Sequence, residues 1–270
     1  MKFALCGAGR VGTSLAYSLK AAGWGFYGYY STSFPDWVKK EERIDKLDEL
    51  KERNLLVLIA LPDREIKRVS KKLPSFLIVG HTSGSLDHTA IHAPSPRGIF
   101  SLHPLRSVPK YRMNLSHGFW GIEGDRVGIE TAKKIVRVLK GRYLVVDTDK
   151  KPLYHLAAVL STNLTTSLLF LAHKLFEKCG IQKGIDLYLG ETTIKNIKDM
   201  GYLGSLTGPV ERGDYLTIKR DLQSLKDFAP ESLATVVKLL DVNLELAKEK
   251  GLEEEYADRI HSIISDYSKF

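Results

Sequence analysis

The chain has 270 residues, 43% hydrophobic and 27% charged, with a formal net charge of +8. That is long enough for one large domain or two modest ones with real cores, and too apolar for extended disorder. Two cysteines, Cys6 and Cys179, exclude a disulfide scaffold and point to a reducing, cytoplasmic setting. The longest uninterrupted apolar run, 55–61, is seven residues, against the ~20 that a membrane span needs, so no membrane partner is expected. The basic residues are dispersed among acids, as in KKEERIDKLDELKER. That dispersal argues against a nucleic-acid surface and suits small anionic ligands.

Residues 1–148 alternate short β-rich apolar runs with amphipathic stretches. FALCG (3–7), GFYGYY (25–30), LLVLIAL (55–61), FLIVG (76–80), GIFSL (98–102), FWGIE (119–123) and RYLVVD (142–147) read as strands. Helices are expected at 10–22, 63–72 and 125–140, the last with Asp125 in its first turn and Gly141 beyond its end. Such alternation predicts a doubly wound parallel sheet. After Asp147 the pattern turns helical, at 152–178, 183–199, 230–250 and 252–267, with prolines at starts and glycines at ends. The expected division is therefore 1–148, an α/β nucleotide-binding domain, and 149–270, an all-α domain for substrate and dimerisation.

Gly7-Ala8-Gly9-Arg10-Val11-Gly12 is a complete GxGxxG between a predicted strand and a predicted helix, the context of a Rossmann-type dinucleotide site. Gly7 suits a tight turn, Gly9 admits the pyrophosphate, and Gly12 allows helix and strand to approach. NAD sites carry an acid at the end of the second strand. Here Ser31 and Thr32 follow Tyr30, which favours NADP, with the two hydroxyls able to donate to a 2′-phosphate. Because ligands bind outside the carboxyl ends of strands, Ala60, Leu61, Pro62, Ser83 and His103 are further site candidates. No Cys/His metal spacing is present, and no metal is expected.

The helix predicted at 152–178 holds a polar cluster, Ser161 to Ser167, where stronger helix formers would be usual. His155, Thr162 and Thr166 share one face, with Asn163 about 80° away. Either this face lines a wet pocket or its hydroxyls bond their own backbone. Farther on, Gly208 and Pro209 fix a turn in LTGPVERGD (206–214), where Arg212 is a candidate carboxylate clamp and Asp214 its orienting group. A capped loop with a surface ion pair is the plainer alternative.

GAGRVG (7–12), VLIALPD (57–63), HTSGSL (81–86), SLHPLRSV (101–108), GIEGD (121–125), YHLAAVLSTN (154–163) and LTGPVERGD (206–214) together resemble a family. It comprises Rossmann-like proteins with a helical C-terminal domain of unknown function. Their relatives are ketopantoate reductase, pyrroline-5-carboxylate reductase and the deazaflavin-dependent NADP oxidoreductases. The resemblance implies an NADP-dependent reductase acting on the C=O or C=N of a small carboxylate, and a homodimer. In the relatives a lysine on the first long helix acts as general acid, with asparagines one and two turns later. The matching positions here are His155, Val159 and Asn163. The resemblance thus implies His155 as acid and Asn163 as substrate ligand. A dinucleotide-binding sensor or interaction module without catalysis is the alternative.

Overall fold

The structure, a computed structural model, describes residues 1–52, 55–181 and 184–269, and these fall into two compact units, Met1–Asn163 and Leu164–Phe270. The first unit holds β1 (Lys2–Cys6), α1 (Arg10–Ala21), β2 (Gly25–Tyr30), β3 (Leu56–Ile59), α2 (Asp63–Ser70), β4 (Ile78–His81), β5 (Gly98–Pro104), β6 (Phe119–Gly124), α3 (Arg126–Val138), β7 (Arg142–Val145) and α4 (Lys151–Val159). The seven strands lie in the order β2-β1-β3-β4-β5-β6-β7. The chain leaves β1 toward β2, then returns across β1 to start β3, so the topological switch point lies between β1 and β3. That is where an open α/β sheet binds ligands.

The sheet is not wholly parallel, as the sequence suggested. Strands β5 and β6 pair antiparallel, with His103 opposite Gly121 and Ser101 opposite Glu123. The segment between them contains no helix. Without a crossover the chain re-enters the sheet at the same end where β5 leaves it, so the next strand runs antiparallel. Buried side chains cover both faces. Phe3, Leu5, Leu15, Leu58, Phe100 and Trp120 form one core, and Val57, Ile59, Ile66 and Val79 belong to the other.

Helix boundaries follow local chemistry. Asp125 sits at the N-cap of α3 rather than within its first turn, its Oδ1 accepting from the Gly128 amide at 2.6 Å. Gly141 is needed for space, since a Cβ there would meet the Gly118 carbonyl oxygen at 2.8 Å.

The expected helix 152–178 is interrupted. Helix α4 passes into a π-helical turn, Leu160–Leu164, before α5 (Thr165–Lys178). The polar cluster is the local cause: Ser161 Oγ donates to Ala157 O at 3.0 Å and Thr162 Oγ1 to Ala158 O at 2.7 Å, the back-bonding that distorts helices. The texture change falls near 148, but α4 belongs to the first unit, where Lys151 is buried. By length and composition Thr148–Lys178 meets the requirement for crossing a membrane, and none of its most apolar stretch is buried. The uninterrupted-run criterion missed this because His155 and the Ser/Thr cluster divide the apolar residues.

The second unit continues with α6 (Ile185–Ser205), α7 (Tyr215–Phe228), α8 (Leu233–Lys250) and α9 (Glu254–Tyr267). Its core includes Val210, Ile218, Leu222, Val237, Leu244 and Ile260. Lys183, the first residue of the expected helix 183–199, lies outside the described residues. Gly201 takes a left-handed φ of 74°, kinking α6 where a stop was expected, and a further helical turn follows. Helix α7 begins just after the 206–214 loop, where the Gly208-Pro209 turn leads one to expect a helix start, although periodicity gave it no bounds.

Candidate functional site

The glycine motif forms the turn from β1 into α1. Gly7 has φ +115°, and a Cβ there would meet the Ala60 carbonyl oxygen at 2.3 Å. A Cβ on Gly12 would meet the Gly7 oxygen at 2.2 Å, whereas one on Gly9 would meet nothing within 4 Å. The turn is thus packed shut at its first and third glycines and open at its second. Gly9 is the N-cap of α1 and no side chain caps the helix, leaving amides at the positive end of the dipole for an anion. Gly7 donates to Tyr30 O and Ala60 to Cys6 O, both at 2.8 Å, which ties together the ends of β1, β2 and β3. Ala8 is buried, Arg10 is exposed and Val11 packs on the core. The buried Cys6 thiol beneath the turn is pushed up to about 12 by desolvation.

Beyond β2, Ser31 Oγ donates to Ser33 O at 2.7 Å and Thr32 is exposed; no carboxylate belongs to this turn. After β3, Leu61 packs on the core and Pro62 is the N-cap of α2. Asp63 accepts from Ser85 Oγ at 2.6 Å. Ser83 is buried, its Oγ accepting from the amides of Ser85 at 3.2 Å and Leu86 at 3.0 Å. Gly7 to Gly12, Ser31, Thr32, Ala60, Leu61, Pro62, Ser83 and His103 therefore all fall along the carboxyl edge of β1–β5.

At the far end of that edge is a cavity of about 370 Å³ whose lining includes His103, Arg106, Tyr154, His155, Thr162 and Asn163. Among the described residues no acidic side chain lines it, and Arg106 is its one lysine or arginine. Arg106 Nη1 donates to Asn114 O at 3.1 Å, which fixes one edge of the guanidinium. His103 Nδ1 pairs with the Tyr154 hydroxyl at 2.8 Å, and the His103 and His155 ring centroids are 6.1 Å apart. Two glycines make room for this group. A Cβ on Gly121 would lie 2.0 Å from the Tyr154 hydroxyl, and one on Gly84 would press on both imidazoles. Burial, then the nearby Lys151 and His155, lower His103 to about 4, so its imidazole is neutral at ordinary pH. Burial raises the Tyr154 phenol.

Behind the cavity wall lies a residue that the sequence reading missed. Lys151, 1% exposed, donates from Nζ to Ser101 Oγ at 2.6 Å, and Ser101 Oγ donates to Ser83 O at 3.1 Å. Burial lowers the ammonium to about 8, against the favourable charges of Glu123 and Asp87. The buried Glu123 accepts from the His88 amide at 2.9 Å, from His88 Nδ1 and from Thr148 Oγ1 at 3.1 Å. His81 accepts the Ser83 amide on Nδ1 at 3.2 Å and meets Asp87 O with Nε2 at 2.8 Å. Those partners fit one neutral tautomer, and burial lowers its pKa. A lysine thus does stand on this helix, one turn before His155, but in a buried layer.

Arg212 and Asp214 belong to the second unit. Asp214 is the N-cap of α7, accepting from the Thr217 amide at 3.1 Å and from Thr217 Oγ1 at 2.8 Å; it caps a helix rather than orienting Arg212. Arg212 lines a small cavity with Glu211, Lys250 and Glu253, where Lys250 and Glu211 pair at 3.0 Å.

Residues 118–240 match the family model of a domain of unknown function, DUF2520. Among solved structures, the chain is similar to a protein from Thermotoga maritima at 25% identity and a TM-score of 0.74, covering 92% of this chain and 99% of that one. A candidate NADP oxidoreductase from Bacteroides fragilis aligns at 21% identity and TM-score 0.69, over 93% and 98% of the two chains. Pyrroline carboxylate reductase from Plasmodium falciparum, solved with NADP bound, aligns at 13% identity and TM-score 0.56, over 100% and 98%. No curated protein matches the sequence. At these identities the last two likenesses establish shared architecture: a Rossmann-type sheet followed by a helical region.

Arg106, Tyr154 and Lys151 escaped the sequence reading for different reasons. Arg106 stood inside a motif quoted for resemblance, and Tyr154 adjoins His155; both were within reach. Lys151 carried no signal, because its partners Ser101 and Glu123 are brought together by β5 and β6.

Proposed function

We propose that this chain is an NADP-dependent oxidoreductase that reduces the C=O or C=N group of a small carboxylate, with 2-keto acids of the ketopantoate type the first class to test. The observation that carries the reading is the glycine turn, closed to side chains at Gly7 and Gly12 and open at Gly9. That shape admits a pyrophosphate to the uncapped amides of α1. The exposed Thr32 meets the 2′-phosphate with its hydroxyl, Ser31 joins it by giving up its bond to Ser33 O, and no carboxylate opposes them. The NADP bound to the Plasmodium falciparum reductase supports the same cofactor on this fold.

NADPH, when bound, supplies the hydride to the carbonyl or imine carbon. The chain orients the substrate and delivers a proton to its oxygen or nitrogen. Arg106 holds the carboxylate with its remaining N–H groups, and Asn163 is the neighbouring polar contact. His155 is the proton donor and is recharged from solvent. The neutral His103, paired with Tyr154, polarises the reacting group as an uncharged donor.

A second copy of the chain is the proposed partner. Helix α6 has one buried residue, Asp186, while Leu187, Tyr188, Ile194 and Tyr202 are 47–70% exposed. A face this apolar on a helix of this length calls for a protein cover. The exposed apolar side chains Leu160, Leu164, Leu168 and Phe170 are assigned to a protein cover rather than to a bilayer, because the Ser161–Ser167 hydroxyl cluster lies among them. The reading describes a soluble, cytoplasmic enzyme with no nucleic-acid partner.

The test is the melting temperature with NADPH, NADH or neither, followed by NADPH oxidation with a panel of 2-keto acids and cyclic imines. Saturating nucleotide at 100 times its Kd should stabilise the fold by ~2.7 kcal/mol. Selective stabilisation by NADPH with turnover supports the enzyme. Stabilisation without any turnover favours a sensor, and no shift with either nucleotide sinks the cofactor assignment.

A further inference from the structure

Lys151 is buried where a lysine is costly, and it is no part of the reductase wall described above. Its ammonium is 2.6 Å from Ser101 Oγ and 5.8 Å from the centroid of the Tyr154 ring. Ser101 and His103 alternate on β5, so their side chains leave the same face. The Tyr154 hydroxyl in turn is bonded to His103 Nδ1. The ammonium, the phenol ring and the imidazole therefore form one layered contact, with the cation on the side away from the cavity. A structural lysine would be expected to reach solvent with its head group; this one is fully enclosed.

We propose that Lys151 is a positioning residue whose buried ammonium, held by Ser101 against the Tyr154 ring, reinforces burial in opposing protonation of His103 and so favours its pairing with Tyr154. The inference rests on the site proposed above, and adds a charge that acts on its imidazole from behind. The surroundings are mixed. Glu123 on β6, with Asp87 and His88 in the loop after β4, faces the ammonium from one side, and the neutral His81 at the end of β4 shares the cluster. His103 feels Lys151 and His155 as neighbours that oppose its charge, and Asp63 as one that favours it. Glu123 acts on Lys151 and His81 rather than on His103, so the lysine is the foremost charge opposing an imidazolium at His103. An uncharged imidazole polarises a carbonyl without giving up a proton irreversibly, a use of neutral histidine established for other enzymes.

The experiment is a pH titration of ¹⁵N-histidine-labelled protein by NMR, without nucleotide or substrate, with the His103 signal assigned from its loss in H103Q. In the wild type His103 stays neutral down to about pH 4. In K151M its midpoint should rise by about one unit, a tenfold gain in the protonated form at a given pH, and K151R should restore the wild-type value. An unchanged midpoint in a folded K151M overturns the proposal. Should K151M not fold, the wild type decides: the neutral His103 resonance must show an inflection near pH 8, as Lys151 discharges, and its absence overturns the proposal. Because no nucleotide is present, failure here is separate from failure of NADPH to bind, which would sink the reductase reading instead.

Discussion

The Tyr154 hydroxyl lies over the backbone of Gly121, 2.8 Å from His103 Nδ1, in space that a Cβ on that glycine would occupy. Strand pairing places Gly121 directly opposite His103, so the sheet register itself makes the seat for the phenol. G121A should evict Tyr154 from this seat. Turnover is expected to fall at least tenfold, and stability by about 1–3 kcal/mol from overpacking. Y154F, which leaves the ring in place, should cost only about 1 kcal/mol of stability. Denaturant melts alongside initial rates separate the two variants.

Gly9 and Gly12 make opposite predictions. G9A has open space around its new methyl group, so its melting temperature without nucleotide should match the wild type. The NADPH-induced shift should shrink by the equivalent of a tenfold or greater loss in affinity. G12A collides with the Gly7 carbonyl and should lower the melting temperature even without ligand. A G9A protein that binds NADPH normally would remove the main support for the cofactor site.

The depressed His103 gives a signed pH dependence. Its folded pKa of about 4 lies below the ordinary imidazole value of 6.5, so the unfolded chain binds the extra proton first. The contribution to stability is complete above pH 6.5 and is lost as pH falls toward 4. It is worth at most about 3 kcal/mol. Urea melts of wild type and H103Q between pH 4 and 7 should converge at the acidic end.

Burial holds Lys151 at about 8 in the fold, against an ordinary lysine value of 10.5. Its contribution to stability is therefore present above pH 10.5 and absent below pH 8. At pH 7 the fold bears the cost of an enclosed cation, and K151M should be more stable than the wild type by about 1–3 kcal/mol. That advantage should fade as pH rises from 8 to 10.5. A K151M protein less stable at pH 7 would mean that the Ser101 contact outweighs desolvation.

Arg106 should act on binding more than on rate. R106A is expected to raise KM for a keto acid by about 10–100-fold with kcat little changed, since its guanidinium is placed for the carboxylate rather than the reacting carbon. Equal loss in kcat and kcat/KM would assign it to the transition state instead.

The glycine turn was legible because its chemistry is local: Gly7, Gly9 and Gly12 act within one strand–helix junction, and each role follows from spacing. The strands were legible for the same reason. The antiparallel turn at β6 was not, because direction depends on what the 105–118 segment does, and apolar periodicity does not encode it. The Ser161–Ser167 cluster announced an irregularity without saying which of its two readings held. Both did, since Ser161 and Thr162 bond back to the helix and line the cavity. The Lys151 layer depends on Ser101 and Glu123 meeting across two strands, information that belongs to the sheet register alone.

Cys6 is enclosed under the glycine turn and holds its proton up to about pH 12, while Cys179 is exposed at the end of α5. Thiol reagents attack thiolates that they can reach, so the two sulfurs differ completely in address. A maleimide dye or spin label should load once, at Cys179, without a single mutation and without touching the nucleotide turn. The protein thus arrives with its own single attachment point for a probe, on the helical unit.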